Sequence, residues 1–181
     1  LPSKYENPFD HMLLSHIHTI QSNFFKLGFT PNMLTTISLF CHLIAMYFFV
    51  NTNTYYTAYS VIFFILSYYF DCCDGHFARS YDMTTKFGDY YDHISDWFKL
   101  ILFIGLTFVY FKSYYLIIFY VISIFLSMVH MSCQEEYYGK YNSDTLHLLK
   151  YVCPTRYFNI SITDCLSITK YFGCGTFILI G

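Results

Sequence analysis

Four runs of apolar residues, each near the length of a bilayer-crossing helix, constrain this chain more than any other feature. They are 33–51 (MLTTISLFCHLIAMYFFVN), 55–71 (YYTAYSVIFFILSYYFD), 97–111 (WFKLILFIGLTFVYF) and 114–132 (YYLIIFYVISIFLSMVHMS). A span needs about 20 mostly apolar residues in a helix, and inside hydrocarbon only helices and closed barrels satisfy their own backbone groups. The third run reaches that length only if the residues before it are helical too. The expected fold class is all-α, a polytopic transmembrane helix bundle, with 1–181 forming one membrane domain. A fifth run, KYFGCGTFILIG, begins near Lys170 and ends after about 12 residues, too few to cross. We expect it to continue in a longer protein of about six spans. Leu1, standing where an initiator Met would be, points to trimming at the other end.

Composition agrees. Charged residues make up 12% of the chain, about half the share in a soluble domain, and hydrophobic ones 55%. A net charge of −2 supplies no basic field, which argues against nucleic acid as a partner. The seven cysteines are odd in number and lack metal-type pairing; Cys72 and Cys73 are adjacent, and Cys41, Cys133, Cys153, Cys165 and Cys174 read as reduced packing residues. Ahead of the first run, residues 9–27 place Phe9, Leu13, Ile17, Ile20 and Phe24 at helical spacing, the pattern of an amphipathic helix lying in the membrane interface. No basic start, apolar core and small-residue cleavage site mark a signal peptide. Lys4, Lys26, Arg79, Lys86, Lys99, Lys140, Lys150, Arg156 and Lys170 fall on one side of the spans against Lys112 on the other, which predicts a cytoplasmic N-terminus. Segment 133–169 is too polar to span and is broken at Pro154, so we read it as an interfacial loop or short helix.

Directly after the second run comes DCCDGHFARSYDMTTKFGDYYDHISD, residues 71–96, with six aspartates. Asp71 and Asp74 are i,i+3 and Asp92 and Asp96 are i,i+4, so each pair shares one helix face. A turn near residues 81–86 brings the pairs together. Four carboxylates converging at a low-dielectric boundary repel one another unless cations intervene. Hard oxygen donors suit Mg²⁺, with Mn²⁺ or Ca²⁺ as alternatives, and four acids are sized for two ions bridging a substrate phosphate. Gly75, Ala78 and Gly88 allow close approach to the backbone, and Arg79 offers a cation to phosphate oxygens. Isolated acids such as Asp82, Asp89, Asp144 and Asp164 read as surface charges or caps. The four paired ones read as functional, because ionisable groups at membrane depth are costly.

The pattern Asp71-x2-Asp74-Gly75-x2-Ala78-Arg79-x8-Gly88-x3-Asp92-x3-Asp96 resembles the signature of the CDP-alcohol phosphotransferase (phosphatidyltransferase) family in all eight specified positions. Pro31, Asn32 and Thr35 at the entry to the first span are similar to the family as well, and the resemblance runs over about residues 5–132. It implies that Asp71, Asp74 and Asp92 ligate a metal pair on the diphosphate of a CDP-alcohol. Asp96 would be the general base toward the acceptor hydroxyl, with a secondary role at the metals. Gly75, Ala78, Arg79 and Gly88 would shape the cytidine and phosphate pocket, with Asn32 and Thr35 lining it. It further implies a lipid or small-alcohol acceptor, CMP release, a homodimer, and an integral membrane enzyme of phospholipid biosynthesis whose site faces the cytoplasm, in an endomembrane if the source is eukaryotic or viral.

His93 after Asp92 looks more like the choline and ethanolamine branch than the phosphatidylglycerophosphate branch, although enzymes of the former are much longer. CDP-diacylglycerol-dependent transfer to inositol, glycerol phosphate or serine is the alternative. His42, His76 and His130 read as packing or pocket polarity. A membrane prenyltransferase would leave Gly75, Ala78, Arg79 and Gly88 unexplained. A cation transporter predicts acids deep in several spans, whereas these gather at one interface.

Overall fold

The computed structural model describes residues 2–51, 53–138 and 151–176. The described residues are helical, with no strand among them. The helix expected over 9–27 is α1 (Pro8–Lys26), followed by α2 (Pro31–Phe49), α3 (Thr54–Ser80), α4 (Lys86–Phe111), α5 (Tyr114–Tyr138) and the short α6 (Ile162–Thr169). Lys140, Lys150 and Asp144, and the end of the fifth apolar run at 177–181, lie outside the described residues.

Helix starts follow local chemistry. Thr30 caps α2 with Pro31 in the first turn, Asn53 caps α3, Thr85 caps α4 and Ser161 caps α6, each side-chain oxygen accepting from a backbone N–H of the first turn. Such a cap is worth about 1 kcal/mol. Two residues with positive φ set the reversals: Asp82 (φ 51°) in the turn after α3 and Lys112 (φ 49°) after α4. The carbonyl of Ala78 accepts from the Met83 N–H at 2.9 Å, which closes the first of these turns.

Among the described residues three helices, α2, α4 and α5, are long and apolar enough to cross a membrane. The sequence suggested a fourth span over 55–71; there α3 forms as one 27-residue helix continuing past the apolar run to Ser80. Tyrosines and serines dilute its first part, and Asp71, Asp74 and Arg79 make its last turns polar.

The chain divides into two compact units, 13–117 and a second made of 1–12 with 118–181. In the first, α2 packs mainly on α3 and also on α4. Small and hydroxylated residues fill these contacts: Ser38 donates to the Ser67 carbonyl at 2.9 Å and Ser60 to the Ala45 carbonyl at 3.0 Å. Large side chains such as Phe40, Tyr47, Ile101 and Val109 point outward. That inversion is what a lipid-facing bundle needs, since close helix approach, not hydrophobicity, distinguishes an interface from the lipid side. Leu13, Ile17 and Gln21 form the buried stripe of α1, and Ile17 joins Leu34, Cys73 and Phe77 in one core.

In the second unit, Tyr5, Cys133, Cys153, Cys165 and Leu166 form a core. Asn7 Nδ2 donates to the Lys170 carbonyl at 2.9 Å, Ser127 to the Phe172 carbonyl at 3.1 Å, and His130 meets Thr169 Oγ1 at 3.1 Å. Within 133–169 the described residues place a 3₁₀ turn at Pro154–Arg156 and the short helix α6.

Candidate active site

The acidic stretch folds as the last turns of α3, a five-residue connection and the first turns of α4. Helical spacing puts Asp71 and Asp74 on one face, and the turn at Asp82 returns the chain so that Asp92 joins them. One carboxylate oxygen from each of Asp71, Asp74 and Asp92 lies within 4.8 Å of the others. Three hard oxygen donors at that separation suit a divalent cation, so the residues present fit the metal that the sequence implies.

Asp74 is buried, 3% exposed, and Thr35 Oγ1 on α2 donates to its Oδ2 at 2.5 Å. A carboxylate has two oxygens and several lone pairs, so this bond orients Asp74 without using up its acceptor capacity. Asp96 joins the group through Asp71, with which it shares the Lys99 ammonium. Its Oδ1 pairs with Lys99 Nζ at 2.8 Å and its side chain stays 47% exposed. Asp71, Asp74 and Asp92 lie closest together, and Asp96 is bound to Asp71 through Lys99 while remaining the most exposed of the four.

Lys99 is the residue that sequence reasoning passed over. Counted above among the charges flanking the spans, it is instead buried in α4, paired with both Asp71 and Asp96, and donates to Ser38 Oγ at 3.2 Å. The signal was available: a lysine inside WFKLILF, three residues after Asp96, is a charge inside a span and so calls for a partner. A buried ammonium between two carboxylates offsets part of their repulsion and ties α4 to α3.

The small residues have observable reasons. A Cβ on Gly88 would stand 3.1 Å from both Asn32 Oδ1 and Thr85 Oγ1, so the glycine lets the N-terminus of α2 meet the capped start of α4. A Cβ on Gly75 would meet Arg79 Nη1 at 3.3 Å; the guanidinium of that exposed arginine lies back over the helix at this point. Ala78 is half-buried on the same helix. Thr36 Oγ1 and Tyr91 OH, 2.9 Å apart, make a second α2–α4 link one residue before Asp92. Beside Asn32 an open groove is lined by Thr30, Pro31, Asn32, Met83 and Thr85.

His93 Nδ1 is 2.8 Å from the Asp89 carbonyl, which only accepts, so Nδ1 carries the proton of this bond. His42 is buried and its ring tilts against Phe64. His76 Nδ1 lies 3.0 Å from Gln21 Oε1. Neither belongs to the carboxylate group.

No curated protein and no solved structure matches this chain. The sequence model of the CDP-alcohol phosphatidyltransferase family matches residues 29–154, beginning later and reaching further than the resemblance read from the motif and taking in every residue of the acidic pattern. On that match, over well more than half of its length, the chain belongs to the CDP-alcohol phosphatidyltransferase family, transferases that move a substituted phosphate group from a CDP-alcohol in lipid synthesis.

Proposed function

We propose that this protein transfers a phospho-amino-alcohol, phosphocholine or phosphoethanolamine, from its CDP derivative to diacylglycerol, with Mg²⁺ at the carboxylates. The observation that supports the reading most is the meeting of Asp71, Asp74 and Asp92 from two helices, with Asp96 at the edge. Bound divalent cations, two of them by the count of carboxylates, would neutralise the diphosphate and stabilise CMP as leaving group.

The chain's own residues divide the remaining work. Thr35 orients Asp74, and Lys99 holds one oxygen of Asp96 while the carboxylate stays open to an incoming alcohol. Asp96 takes the proton from the acceptor hydroxyl. The oxygen attacks the β-phosphorus, and the bond from that phosphorus to the CMP oxygen breaks. Asn32, beside Gly88, and Arg79, beside Gly75, would bind the nucleotide and its phosphates. The amino-alcohol donor rests on the Asp92-His93 pair, which resembles that branch. The same chemistry serves CDP-diacylglycerol with a small alcohol, and the site is read as facing the cytoplasm in a homodimer.

The test reconstitutes the full chain with Mg²⁺ and follows CMP release from CDP-choline or CDP-ethanolamine plus diacylglycerol, and in parallel from CDP-diacylglycerol plus inositol, glycerol phosphate or serine. CMP in the first arm is expected. CMP only in the second overturns the donor assignment, and none in either overturns the reading as a whole. Asp96→Asn should lower kcat by about 10²–10⁴-fold, the range of a general base, with nucleotide binding retained. Full activity in that variant would exclude Asp96 as the base.

A further inference from the structure

We propose that Cys133, Cys153 and Cys165 form a second, structural metal site that holds a thiophilic cation, zinc(II) or copper(I). The three thiols come from separate elements: α5, the residue capping the Pro154–Arg156 turn, and α6. Their sulfurs nevertheless converge. Cys133 Sγ is 2.9 Å from Cys165 Sγ and 3.5 Å from Cys153 Sγ, and all three lie within 4.8 Å of one another. Two thiolates on one tetrahedral zinc, each at about 2.3 Å, stand about 3.8 Å apart, which falls inside that spread.

The setting is that of a closed structural site. Exposures are 0%, 0% and 5%, and the walls are apolar: Tyr5, Leu166, Val129, Tyr137 and Ile162. The hydroxyl of Thr155 lies 3.0 Å from Cys153 Sγ. Packing alone gives no reason for three sulfurs to meet across sequence separations of 20 and 32 residues. A disulfide would employ two of them and strand the third, and none of the seven cysteines is in one. Soft sulfur donors select zinc or copper(I) over the hard cations that suit aspartates. Binding would convert three thiols to thiolates and release three protons, joining α5, the turn and α6 at one point. Cys133 and Cys153 lie within the family match and Cys165 beyond its end at residue 154.

Metal content of the full chain, purified without a histidine tag and washed with a hard-metal chelator, decides the matter by elemental mass spectrometry. About one equivalent of zinc or copper per chain is expected, with the element found naming the occupant, and near-complete loss in Cys153→Ser and Cys165→Ser but not in Cys41→Ser. Native alkylation should leave Cys133, Cys153 and Cys165 unreacted until a thiophilic chelator is added, while Cys73, buried in the other core, stays protected with or without the chelator. No such metal in the wild type, metal unchanged in both serine variants, or a Cys133–Cys165 disulfide by intact mass overturns the proposal. Should the serine variants fail to fold, Co²⁺ reconstitution of the wild-type chain still decides: a thiolate-to-cobalt charge-transfer band is expected, and its absence overturns the site.

Discussion

The carboxylate cluster of the first unit and the thiol cluster of the second are built on opposite plans. Asp71, Asp74 and Asp92 come from one 26-residue stretch, are part-exposed except for Asp74, and sit among hydroxyls and a lysine. Cys133, Cys153 and Cys165 come from a helix, a turn and a second helix, are buried, and sit among apolar side chains. The difference teaches how access and donor type go together. A site that must admit a charged diphosphate keeps hard donors and an open edge, where Asp96 stands. A site that only joins elements has no need of an opening and can surround its donors with apolar atoms.

Breaking the first plan should have the largest effect. Asp74→Asn removes the buried, Thr35-oriented carboxylate and should lower CMP release by about 10³-fold, the several kcal/mol that metal-ion neutralisation contributes to such a transition state. Thiophilic metal content should be unchanged in the same preparation. If Asp74→Asn empties both clusters, they are not separate sites.

A smaller but global effect is expected from Lys99→Met. It leaves Asp71 and Asp96 without their shared cation and should destabilise the protein by about 3 kcal/mol, the lower end for breaking a buried pair. Thermal unfolding in detergent should show part of that loss restored by Mg²⁺, because a bound cation can replace the ammonium as counter-charge. An equal loss with and without Mg²⁺ would show that Lys99 and the cation act on different groups.

The mildest case is Gly88→Ala. The added methyl presses on Asn32 and on the Thr85 cap, a perturbation of about 1 kcal/mol that should raise KM for the CDP-alcohol by about five-fold with kcat little changed. Gly75→Ala should do less, since the group it meets is the far end of a flexible arginine.

Much of the first plan was legible in the sequence. The runs at 33–51 and 114–132 became α2 and α5 with boundaries shifted by a few residues, and the helix read over 9–27 is α1, Pro8–Lys26. The turn expected near 81–86 lies where Asp82 takes positive φ. What the runs did not reveal is the length of α3, because hydropathy stops at Asp71 while the helix continues to Ser80 through residues whose buried face, Cys73, Asp74 and Phe77, packs in the tertiary structure. The thiol cluster was invisible for a different reason. Its spacings of 20 and 12 residues match no ligand pattern, and the odd cysteine count reads equally well as packing.

The sequence by itself determined the helical membrane class, the placement of the acidic site at a span's end, and the hardness of its donors. These follow from residue type and from spacing inside single helices, which the backbone repeat fixes at i,i+3 and i,i+4. Only the tertiary structure decided that Asp71, Asp74 and Asp92 converge from two helices, that Lys99 turns inward to Asp71 and Asp96, and that three cysteines from separate elements meet. Those outcomes depend on how each helix is rotated and on how the connections return it to its neighbours, and no local spacing encodes either.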